Sequence, residues 1–408
     1  MIFIGKPYIE QRGEETFLCA LIKDEGMKKE QVFWYAVDNQ YGDYLCDDYA
    51  DAFVLMVLLV AVRSGQDIKV EAPVSYQFLH NIHNTLAPVF VSLFPGSHAI
   101  HVEAPTAAAP VYNAQAVGCG CSLGVDSFHS FLSYYGEDKQ KEYRITHLAL
   151  FNSGQLGYFD VEQTEKVFRE AVEGLKPFAA EVGLPIVGVD TNLNEYYNAT
   201  DIKVTQSVVC RTMSCVLALQ KLFGRYIYAS SCSLADFHLS TVDQSYVESV
   251  YVPLLGTHNT EIVLPNPMMT RVDKTEFISR YPIVERYLDV CWASQIAYGR
   301  QHNTTFLEEK KNKNCGRCDK CMRTLLTLDL LGRLEPYGQV FDMDHYRSHK
   351  NQYLVRVMLN TKKKPLYIEI NDLIRRVGYV PPMQVRLLVW VGKRFSFVLK
   401  IHRKLRRR

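Results

Sequence analysis

Cys119-Gly120-Cys121-Ser122-Leu123-Gly124-Val125-Asp126-Ser127 lies between an apolar run, Ala114–Cys119, and a helix-like run, Phe128–Tyr135. A buried strand that turns through glycine into a helix opens a parallel βαβ unit. In that geometry, backbone N–H groups and a helix N-terminus hold a phosphate. Gly124 permits close backbone approach. Ser122 and Ser127 offer hydroxyl donors. Asp126 would repel phosphate directly, so its carboxylate is expected to act through Mg²⁺ or by fixing the loop. The segment is not a Walker A motif, because the Gly-Lys-Ser/Thr ending is absent. A tight turn of small residues is the plainer alternative.

Working outward, strands and helices alternate from Val111 on. Strands are expected at Thr146–Phe151, Pro185–Asp190 and Tyr226–Ser230, and helices at Val161–Val182 and Gln206–Phe223. This predicts an α/β fold with a doubly wound, mostly parallel sheet over residues 111–272. Residues 1–110 read as a separate α+β domain, with strands at Phe17–Ile22, Val32–Val37, Ile68–Glu71 and Ala99–Val102. Its helices are expected at Asp48–Arg63 and Ser75–Leu93, and Ala104–Pro110 reads as a linker. Residues 273–335 read as a helical cysteine segment and 336–408 as a C-terminal extension with a basic tail.

Cys315, Cys318 and Cys321 have C-x2-C-x2-C spacing, which lets a turn and a helix start present three sulfurs to one metal. Zinc takes four ligands in a closed structural site, with Cys291 as fourth candidate and His302 behind it. The same spacing occurs in iron–sulfur proteins, and three unrelated thiols on one helix remain an alternative.

The loop and the cysteines together resemble the 7-cyano-7-deazaguanine synthase family of the ATP pyrophosphatase (PP-loop) superfamily. Leu123 stands where that Ser-Gly-Gly-X-Asp-Ser loop has its first glycine. Similar ordered features are Phe151-Asn152-Ser153-Gly154-Gln155, Arg211 early in a long helix, and Ala229-Ser230-Ser231 at a strand end. Pro265 followed by Lys274-Thr275-Glu276, and Cys291 with the cluster and Arg323, complete the set. The resemblance spans about Val111 to Leu331. This chain adds about 110 residues before it and about 75 after, and its gap from Cys291 to Cys315 is longer than the family's. It implies a PP-loop (HUP-like) fold binding ATP, Mg²⁺ and Zn²⁺, and a ligase-type enzyme that adenylates a carboxylate or amide with release of pyrophosphate. Ammonia is the expected nucleophile, and the acceptor a small molecule or conjugated group. Ser122, Leu123, Gly124, Val125, Asp126 and Ser127 would hold phosphates, Leu150, Phe151 and Ser230 the nucleotide. Asp126, Ser127, Arg211 and Lys274 would be catalytic. A PP-loop thiolase acting on tRNA and a non-catalytic nucleotide-binding protein are the alternatives.

Arg211 and Lys274 have the plainer alternative of solvated helix charges, and His129 reads as a packing residue. Cys119 and Cys121 read as small core residues, with sulfur transfer the alternative.

The 408 residues carry 46 Lys or Arg against 44 Asp or Glu, near neutrality. The balance is uneven: Asn371–Arg408 has eleven basic residues and one acidic, Asp372, and the rest 35 basic and 43 acidic. No run reaches the ~20 apolar residues of a membrane span. Eleven cysteines without a signal-peptide pattern suggest a reducing, cytoplasmic compartment. In the basic tail, Arg386–Arg408, apolar residues interleave with cations. This suits packing on the body, the inner face of an anionic membrane, or a nucleic acid. Self-association into a homo-oligomer stays open.

Overall fold

A computed structural model of the chain describes residues 1–107, 109–155, 161–291, 314–361 and 365–405, side chains at 161–163 and 395–405 excepted. They fall into two compact units, residues 1–122 with 130–268, and residues 123–129 with 269–408.

The first unit is α/β and built on one sheet. Its strands are β1 (Ile2–Ile4), β2 (Tyr8–Arg12), β3 (Glu15–Asp24), β4 (Lys29–Asp38), β5 (Ile68–Val70), β7 (Val102–Glu103), β9 (Ala116–Gly120), β10 (His147–Phe151), β11 (Ile186–Thr191), β12 (Phe223–Ile227) and β13 (Glu261–Val263). The order is β13-β12-β9-β10-β11-β4-β3-β1-β5-β7, with β2 on β3, while β6 (Val74–Ser75) and β8 (Thr106–Ala107) pair separately. The strands β13 to β11 are parallel throughout. Antiparallel pairing of β11 with β4 carries the sheet into the strands of the first 110 residues. Most pairings in the sheet are parallel.

Apolar composition explains these elements. The helix Asp51–Ser64 is buried from Asp51 to Val62 on every side, which a helix apolar all round requires. Gly65 closes it in the left-handed conformation. The expected helix through Phe223 ends instead at Ala218, and Phe223 opens β12 rather than Tyr226. The cause is tertiary. A side chain at Gly118 of β9 would meet the Phe223 ring at 2.6 Å, so the ring fills the space that glycine leaves and Phe223 pairs with Ala116. In the N-terminal region, the expected strand Ala99–Val102 is found only as Val102–Glu103.

The second unit is helical among its described residues, with helices at Arg271–Ile278, Pro282–Tyr287, Asp319–Leu330, Met343–Leu359, Pro365–Arg376 and Met383–Leu405. Many of its ties are polar. Asp319 Oδ1 accepts from Tyr367 at 2.7 Å and Tyr353 at 3.1 Å. Asp329 Oδ2 accepts from Tyr346 and pairs with Lys350, both at 2.6 Å. No described helix is long and apolar enough to cross a membrane.

Candidate functional site

In the first unit the parallel strands run 3-2-1-4-5 when numbered from β9, so the order reverses between β9 and β12. Ligands of open α/β sheets bind outside the carboxyl ends of the strands at such a reversal. The carboxyl end of β9 leads to Cys121 and Ser122. That of β12 leads to Ala229-Ser230-Ser231, clamped by buried Glu248, which accepts from Tyr228 Oη at 3.0 Å and from Ser231 N. Leu150 and Phe151 end β10 with buried side chains, and Phe151 stacks on Tyr226 at 5.9 Å.

Arg211 is buried in the helix Val204–Ala218. Its Nη1 donates to Asn194 Oδ1 and its Nε to Ser207 Oγ, each at 2.8 Å. The guanidinium lies over the Tyr197 ring at 4.1 Å, a cation–π contact. Gly154 has φ +91°, and a side chain there would meet Asn194 Oδ1 at 2.7 Å and Arg211 Nη1 at 2.8 Å. Glycine therefore lets the 151–155 loop close on the arginine. The alternative of a solvated charge at Arg211 fails, because its neighbours enclose it.

The second unit holds the loop residues from Leu123 on. Leu123 has φ +58°, the left-handed region, at a cost of about 1 kcal/mol for a side-chain-bearing residue. Its buried side chain and the bond from Asp289 N to its carbonyl, 2.8 Å, hold it there. The chain thus makes with leucine a turn that suits glycine. Gly124 O then accepts from Phe128 N at 2.9 Å as the helix Val125–Tyr134 starts. Asp126 stands in its first turn, where a carboxylate is favoured by the helix dipole.

Asp126 lies among cations. Its Oδ2 is 2.6 Å from Arg271 Nη2 and its Oδ1 3.5 Å from Lys274 Nζ, on a side chain only 1% exposed. Arg271 and Lys274 share a face of the helix Arg271–Ile278 at i, i+3. Thr270 and Asp273 start that helix with a capping box, each side chain bonding the other's backbone N–H at 3.1 Å. A second i, i+3 pair, Lys320 and Arg323, comes from the helix Asp319–Leu330. Lys320 carries a lowered pKa, caused by crowding from the surrounding protein and then by Arg271 and Arg323, with Asp126 opposing. Burial, then Arg271, also lowers the pKa of Arg323. Arg323 pairs with Asp319 at 3.6 Å, while Arg271, Lys274 and Lys320 bring positive charge to the one aspartate, Asp126. Ser127 and His129 are buried beside it. Burial and then Lys274 push His129 down to about 4, so it is neutral near pH 7, edge-on to Phe277 at 5.6 Å. Packing, the expectation for His129, fits this.

Cys291, Cys315, Cys318 and Cys321 place their sulfurs within 4.8 Å of one another, a group that can hold a metal ion. Cys315 Sγ and Cys321 Sγ are 3.9 Å apart. Four thiolates ~2.3 Å from one tetrahedral ion would stand about 3.8 Å apart. Backbone N–H groups of Arg317 and Cys318 both donate to Cys315 Sγ at 3.4 Å, favouring its thiolate. Gly316, at φ +63°, makes the turn, and a side chain there would clash with Asp342 O. His302, the other candidate ligand, lies outside the described residues.

Asn314 brings Cys291 to the other three. Fully buried, it accepts from Val290 N at 2.7 Å and donates to Leu288 O at 2.8 Å and Val340 O at 3.0 Å. Asn314, Arg271 and Lys320 escaped the sequence expectations. The i, i+3 spacing of Arg271 with Lys274 and of Lys320 with Arg323 was the available signal. No family model matches the chain, and neither a curated protein nor a solved structure matches it.

Proposed function

We propose that the protein is an ATP-dependent ligase-type enzyme that adenylates a carboxylate or amide, with zinc in the four-cysteine site. The carrying observation is the pair of cations, Arg271 and Lys274, that meets Asp126 in the first turn of a helix, with Lys320 acting on the same aspartate electrostatically. Such a site takes a polyanion, and helix N-terminal N–H groups favour phosphate. A substrate oxygen would attack the α-phosphorus of ATP, and the bond to the β-phosphate oxygen would break. Pyrophosphate would leave with the bonding electrons, its charge neutralised by Arg271, Lys274 and Lys320. Ammonia would then attack the acyl carbon of the adenylate and expel AMP. Asp126 would hold Mg²⁺, which supplies charge neutralisation on the phosphates. Zinc would have a positioning role, since Cys318 and Cys321 flank Lys320 at the start of the helix that delivers it and Arg323.

The convergence of four sulfurs suits one ion better than a cluster, in which each thiolate bonds a different iron. That weighs against the thiolase alternative. The test is pyrophosphate release from ATP and Mg²⁺ in the presence of extract from the source cells, with wild-type, Asp126→Asn and Lys274→Met proteins. Release that needs the extract and falls about a hundredfold or more in both variants is expected. ATP binding without release would leave a nucleotide-binding protein, and absent ATP binding would remove the proposal.

A further inference from the structure

We infer that the exposed face of the helix Met383–Leu405 docks on an anionic lipid surface. Val385 and Val389 are the buried residues of this helix between Met383 and Arg394. Gly392 lies so close to Leu359 that a side chain there would meet it at 2.9 Å. This side packs on the helix Met343–Leu359. The opposite side carries Met383, Leu387, Leu388, Trp390 and Val391, each between 41% and 83% exposed. Met383, Leu387, Trp390 and Val391 follow i, i+4, i+7, i+8 spacing as a continuous stripe with Leu388 on its flank, and Val380, just before the helix, is 73% exposed. One exposed leucine is ordinary, but a row of five apolar side chains on one helix marks an interaction surface.

Charge selects the occupant. Arg386, Lys393 and Arg394 are exposed on the same helix, and the Arg394 guanidinium lies 4.6 Å from the Trp390 ring centre. From Met383 to Arg408 there are nine Lys or Arg and no acidic residue. A second copy would set cation against cation with no carboxylate between them. A nucleic acid would answer the charge and leave Met383, Leu387, Leu388 and Val391 in water. An anionic bilayer answers both, taking the apolar stripe into its interface and the cations at its phosphates.

The test is sedimentation of the full chain with vesicles of phosphatidylcholine alone or mixed with phosphatidylglycerol. Wild-type protein should bind the mixed vesicles, and its tryptophan emission should shift to the blue, a shift that Trp390→Phe removes. Leu387→Ser combined with Leu388→Ser should lower partitioning about tenfold or more with the melting temperature unchanged, because both positions are exposed. Arg386→Gln with Lys393→Gln and Arg394→Gln should weaken binding to mixed vesicles selectively. Equal sedimentation of the serine variant and wild type would overturn the inference. So would indifference to phosphatidylglycerol, tight binding of single-stranded RNA with none to vesicles, or a dimer that the serine changes dissolve.

Discussion

Both compact units bury apolar side chains, and the second adds a converging cysteine group. The first buries a contiguous apolar cluster running from Ile2 through the helix Asp51–Ser64, buried to Val62, and on to Ile262. Full burial of one such side chain contributes about 1.5–3 kcal/mol. The second unit also buries apolar side chains, Leu325, Leu326, Leu354 and Ile370 among them, and adds polar ties at four cysteines, Asn314, Asp319 and Asp329. Removing one partner there leaves another buried group unsatisfied, which costs more than an average contact contributes. The difference lies in the cysteine group, and the Asp126 site stands in the unit that holds it.

The largest test of that difference is the metal. A strong chelator, or Cys318→Ser, should remove on the order of 10 kcal/mol of coupled binding and folding free energy from the second unit. Hydrogen exchange should then show protection lost in the helices Arg271–Ile278 and Asp319–Leu330 and kept in β3 and β9. Equal loss in both units would erase the contrast. Next comes Asn314→Ala, which strands the Val290 N–H and two carbonyls. A loss of about 3 kcal/mol is expected in urea unfolding, together with weaker zinc retention on dialysis. A change within error would show that the cysteines alone hold Cys291 in place.

The smallest effect is a pH dependence. His129 is held at about 4, below its ordinary value near 6.5, so the unfolded chain binds the extra proton first as pH falls. Its contribution is complete above about pH 6.5 and is lost as pH drops from there towards 4. Between pH 7 and 5 the second unit should lose about 1–2 kcal/mol through this group. His129→Gln should flatten the slope in that window, measured by urea midpoints at each pH. An unchanged slope would place the titrating group elsewhere.

Local chemistry decided what could be read in the sequence. The strand Ala116–Gly120, the turn after it and the C-x2-C-x2-C spacing are contiguous, so periodicity and residue type suffice for the loop and for three cysteines. Helices in the first unit were legible for the same reason, Val161–Val182 to the residue. The C-terminal helices were faint because their inner faces mix tyrosines with charged partners, as at Tyr353, Tyr367 and Asp319. The three-residue strand β13 is too short to carry a period.

By itself, then, the sequence determined an α/β chain, a strand that turns through glycine into a helix, and a cysteine group suited to a metal. Tertiary structure alone decided that Arg271 and Lys274 meet Asp126 across some 145 positions, and that Lys320 acts on the same aspartate. It also decided that Asn314 ties Cys291 to its partners, that Phe223 leaves a helix for a strand, and that Arg211 is buried rather than solvated. The physical reason is common to all of these. Hydrophobic period and turn chemistry act between neighbours in the chain, whereas buried charges and polar side chains are placed by partners that only the folded chain brings near.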